Sequence, residues 1–124
     1  MSKYTKEELT EGLQVILSII KNCEKMQLKF LAGTSQHSLL KNRIKALCIS
    51  KALMANDCSV ENYTKEELLE ALPPITSIIS KSEKAQLKIK EGTPHYTRLK
   101  KIINAMQISK SLITKEIDKK SLGD

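Results

Sequence analysis

The feature that most limits how this chain can fold is an internal repeat without gaps. Residues 4–54 laid over residues 63–113 give 27 identical pairs out of 51, at a constant offset of 59 positions. Self-similarity at such a period marks a supersecondary unit that buries its apolar face only against a neighbouring copy. The fold is therefore expected to be two like halves joined by residues 55–62, a polar, non-periodic stretch that reads as a linker. Residues 114–124 read as a charged tail, expected to fray.

Inside each copy the apolar period is helical. Leu9, Leu13, Ile16, Ile20 and Cys23 fall on one face at 100° per residue, and Leu68, Leu72, Ile75 and Ile79 repeat it. The second half of each copy carries a wider stripe. Leu40, Ile44, Leu47 and Met54 form one row, with Leu39, Ala46 and Leu53 beside it. Leu99, Ile103, Met106 and Ile113, with Ala105 and Leu112, are their counterparts. A stripe that wide predicts packing against two neighbours.

The ends of these helices are written in the sequence. Tyr4-Thr5-Lys6-Glu7-Glu8-Leu9 recurs letter for letter at residues 63–68. Thr5 as N-cap, Glu8 at N3, and Tyr4 facing Leu9 make a capping box and a hydrophobic staple, and Thr64, Glu67, Tyr63 and Leu68 do the same. Gly33-Thr34 and Gly92-Thr93 each place a left-handed stop before the N-cap of the next helix, and Pro94 falls at N1. Each copy is an αα-hairpin with a short corner. The expected fold is all-α, a tandem αα-hairpin repeat forming an antiparallel four-helix bundle with pseudo-twofold symmetry, the alternative being that each hairpin packs less on its sibling than on a second chain, giving a dimer. Pro73 and Pro74 stand where the first copy has Gln14 and Val15. Two consecutive prolines remove two backbone donors, so the third helix is expected to kink or break near Leu72 to Pro74.

With 124 residues, 40% of them hydrophobic, the chain can bury roughly two thirds of its unfolded surface without a disulfide or metal staple. Cys23, Cys48 and Cys58 form an odd set with no C-x-x-C spacing, which predicts thiols in a reducing compartment, with Cys58 in the linker the reactive one. The first residues are charged and no apolar run approaches membrane-spanning length, so a cytoplasmic location is expected.

Catalytic groups do not gather. His37 aligns with Tyr96 and His95 with Gln36, so the two histidines are staggered by one and no H-x-x-x-H spacing arises. The glutamates cluster at helix starts, where capping and the helix dipole account for them. No enzyme activity, cofactor or metal is expected, and the predicted role is binding another macromolecule, a protein partner or a second copy.

Charge supplies the alternative, a nucleic-acid-associated protein. The net charge is +7, and the second and fourth helices carry +4 each with no acid. Lys41, Arg43, Lys45, Arg98, Lys100 and Lys101 are the candidate basic surface, since phosphate attraction needs only clustered cations. Arg43 points about 160° from Lys45 on the wheel, and aromatics are only 3%, which weakens that alternative. Four further polar residues sit on the apolar lines. Gln27 and Gln86 fall on those of the first and third helices, Lys51 and Lys110 on those of the second and fourth. The glutamines are candidates to hydrogen-bond across the core and fix the register of the hairpins.

Overall fold

The computed structural model describes residues 4–122, and of Cys58 and Ser59 the backbone alone. It is all-helical among the described residues: α1 (Lys6–Gln27), α2 (Ser35–Met54), a 3-10 helix (Cys58–Asn62), α3 (Lys65–Leu87) and α4 (Pro94–Leu122). The start signals behave as the sequence predicts. Thr5 accepts from the Glu8 amide at 3.0 Å while Glu8 accepts from the Thr5 amide at 2.9 Å, and Thr64 and Glu67 exchange the same two bonds. At the corners Thr34 and Thr93 accept from the amides of His37 and Tyr96. Gly33 and Gly92 hold φ of 92° and 91°, where a side chain would be strained.

The four helices pack against one another as a bundle, with α2 and α4 meeting across one diagonal. Its core is built twice. Ile16 and Ile75, Leu47 and Met106, Ala46 and Ala105 are equivalent pairs, and all six are buried. Small residues let α2 and α4 approach. Ser50 and Ser109, equivalent and fully buried, turn their hydroxyls back onto the Ala46 and Ala105 carbonyls at 3.0 and 2.9 Å.

The relative direction of the hairpins follows from a few contacts. A methyl at Gly12 of α1 would meet both Met54 at the end of α2 and Ala105 of α4. Lys45, midway along α2, reaches Glu67 in the first turn of α3 at 3.3 Å. At 1.5 Å per residue these levels agree only if α4 runs alongside α1 in the same direction and α3 alongside α2. The two hairpins are thus inverted, with their corners at opposite ends of the bundle. The pseudo-twofold axis crosses the bundle at the level of Ser50 and Ser109.

Three local details depart from the sequence reading. First, α3 is continuous from Lys65 to Leu87 with Pro73 and Pro74 inside it, so of the kink or break expected near Leu72 to Pro74 the break does not occur. The carbonyls deprived of donors are those of Leu69 and Glu70, both on exposed residues where water can serve them. Leu68, Ala71, Ile75 and Ile78 hold the helix to the core on either side of the prolines. Second, the tail is helical to Leu122, because Ile117 is buried and Lys120 reaches the Glu61 carbonyl at 3.5 Å. Third, the linker contains a helical turn, plugged into the core by Val60.

Candidate functional site

Inverted hairpins create two equivalent clefts, one between α2 and α3 and one between α1 and α4. Their linings share equivalent residues: Ala46 and Ile49 at the floor with Glu67 and Glu70 beside them in the first, Ala105 and Ile108 with Glu8 and Glu11 in the second. The small residues at the base, Ala71 and Gly12, are also equivalent. Glu67 and Glu8 are the capping-box residues in the first turns of α3 and α1, and Glu70 and Glu11 follow one turn later. A lysine of the opposite hairpin closes on each cleft, Lys45 to Glu67 at 3.3 Å and Lys101 to Glu11 at 4.0 Å.

The walls differ, and the α2–α3 cleft is the larger at about 510 Å³. It carries Arg43 where the twin position is Ile102, Lys45 where the twin has Asn104, and Pro73-Pro74 in place of Gln14-Val15. Arg43 is half-buried, and its Nε is closed off from solvent with no hydrogen-bond partner. An orphaned guanidinium donor costs about 1–3 kcal/mol. Leu39 stands 56% exposed on the rim, although its row in the sequence predicts burial. The cleft therefore offers apolar surface from Ala46, Ile49 and Ala71, fixed charges of both signs and one unmatched guanidinium N–H.

Glu67 is held ionised. The backbone hydrogen bond within its capping box, and then the Lys45 ammonium, pull its carboxyl below the usual range.

The other singled-out residues are dispersed. Gln27 and Gln86 are half-buried near helix ends, and the inversion of the hairpins separates them by about 33 Å along the bundle, so they do not bond to each other across the core. Lys51 and Lys110 are exposed at mid-bundle. Of the basic set, Lys45 and Lys101 are engaged in ion pairs and Arg43 lines the cleft. Lys41, Arg98 and Lys100 are exposed, but Lys41 lies about 30 Å along the bundle from Arg98, so the cations form no single patch.

Cys23 is buried and Cys48 exposed. Loss of hydration raises both thiol pKa values; Arg43 opposes that rise at Cys23, and Lys51 opposes it at Cys48. The reactivity expected of Cys58 lies outside the described side chains. Among the described residues no three His, Cys, Asp or Glu side chains gather in a way that could hold a metal, and no helix is long and apolar enough to cross a membrane. Sequence reading missed the cleft itself. The prolines and the change from isoleucine to arginine were its visible traces, scattered until the hairpins were set side by side.

Comparison of the chain with protein-family models, with curated proteins and with solved structures finds no match.

Proposed function

We propose that this chain is a small non-enzymatic helical protein that binds another protein through the α2–α3 cleft. The observation that carries this reading is the difference between twin clefts. They keep a common floor, while the changes on the walls of one bring together an arginine with an orphaned donor, two prolines inside a helix and an exposed leucine rim. Prolines in a helix and an unpaired buried donor oppose stability, which is the pattern of a surface shaped for something besides folding. A cleft with an apolar floor and fixed charges of both signs suits a protein segment that brings apolar side chains and its own polar groups.

The test compares the full-length parent with two variants purified from the native cell. Arg43→Ile installs the twin's residue in the α2–α3 cleft, and Gln107→Ala alters the α1–α4 cleft. The reading expects one protein retained by the parent and by Gln107→Ala and lost from Arg43→Ile at unchanged helicity. Equal capture by all three would remove the cleft from the account. Retention on DNA at low salt that falls steeply as salt rises would favour nucleic acid as the partner instead.

A further inference from the structure

We propose that the chain also forms a hairpin-exchanged homodimer, in which the first hairpin of one copy packs on the second hairpin of another. Every contact that joins the two halves is a contact between hairpins: α2 with α4, α1 with α4, and α2 with α3. The halves are otherwise linked by residues 55–64 alone. Each half therefore meets all its needs from any second half, including one supplied in trans. The interface is specific, with the buried serines of α2 and α4 at its centre and the Lys45–Glu67 and Lys101–Glu11 pairs at its flanks.

The linker favours exchange. Met54 lies at the level of Gly12, whereas Lys65 begins about 20 Å further along the bundle, so the connection must climb back before α3 can start. Ala55, Asn56 and Asp57 are exposed, and Asn56 turns the chain at a φ of 54°, a conformation asparagine adopts readily. A long return connection between two self-sufficient interfaces is an arrangement from which domain swapping can proceed. In the exchanged dimer each α2–α3 cleft takes Arg43 from one chain and Pro73 and Pro74 from its partner. Two copies of the cleft then lie in one particle.

The decisive experiment uses the full native chain. Equal amounts of chain with ordinary and heavy nitrogen are unfolded together in urea and refolded at high concentration. They are then separated by size and treated with a carbodiimide, which joins Lys45 to Glu67 without a spacer. Exchange predicts a fraction of twice the monomer mass in which Lys45 and Glu67 peptides of opposite label are joined. A second chain lacking residues 55–61 keeps four Cα steps between Met54 and Lys65, a reach of about 14 Å at most, so it can no longer close that gap within one bundle and should shift wholly to that fraction. Cross-links confined to like labels, or a parent that refolds only as monomer, would overturn the proposal. So would a shortened chain that stays a folded monomer.

Discussion

Gly12 provides a quantitative test of the pseudo-symmetry, because its partner across the repeat is Ala71. A methyl group at Gly12 would sit 3.2 Å from the Met54 sulfur, 3.4 Å from its terminal carbon and 3.9 Å from the Ala105 methyl. The tight contacts are all to the end of a flexible thioether, which can give by a few tenths of an ångström. Against that small strain stands the helix propensity of alanine over glycine, about 0.8–1 kcal/mol in a helix interior. The net effect of Gly12→Ala is a gain of about 0.7 kcal/mol. With an unfolding entropy near 2.1 cal/mol/K per residue, that raises the melting temperature of this 124-residue chain by about 3 °C. Gly12→Leu should do the reverse, since a branched side chain would have to displace the Ala105 methyl as well as Met54. Thermal unfolding followed by circular dichroism reads both. A lower melting temperature for Gly12→Ala would mean that α1 and α4 approach at this level more closely than α3 and α2 do, and the inferred equivalence of the two sides would fail.

Three more outcomes follow from particular contacts. Replacing Pro73 and Pro74 with the twin's Gln and Val restores donors to the Leu69 and Glu70 carbonyls, and should stabilise the fold by about 3 kcal/mol or more in urea titration. Glu67 has a depressed pKa in the folded state, so its stabilising effect is complete above the ordinary value of 4.5 and is lost as pH falls through the lower folded value. Urea midpoints measured across that window should fall less steeply for Glu67→Gln than for the parent. Cys48 is exposed with a raised pKa, so it should be alkylated slowly at neutral pH and faster as pH rises, whereas Cys23 should react only on unfolding. Mass spectrometry of the labelled peptides separates the two.

Much of the local structure is legible from the residues. The capping boxes at Thr5 and Thr64 and the left-handed glycines at the corners are encoded within a few positions, and each forms as its residues dictate. The apolar rows locate most of the core, with Leu39 the exception, left exposed on a cleft rim. The direction of one hairpin against the other is a different matter. It depends on which small residues, Gly12, Ala46, Ala71 and Ala105, allow close approach, and a helical period does not reveal that. The same limit applies to Pro73 and Pro74: intrinsic propensity argues for a break, and the buried face of α3 overrides it. It applies also to the last turns of α4, where one buried isoleucine and a lysine reaching the linker order a segment that composition reads as frayed.

The central claim is that the hairpins are inverted, and one distance tests it. Leu28 and Leu87 are equivalent, exposed, and close their respective helices at the two corners. Spin labels at these positions, in a chain whose three native cysteines are replaced, should lie about 36 Å apart along the bundle, counted at 1.5 Å per residue from the levels of Gly12 and Ala71. Corners gathered at one end would bring the labels within about 20 Å, two helix spacings, and would contradict the inversion together with the paired clefts that follow from it.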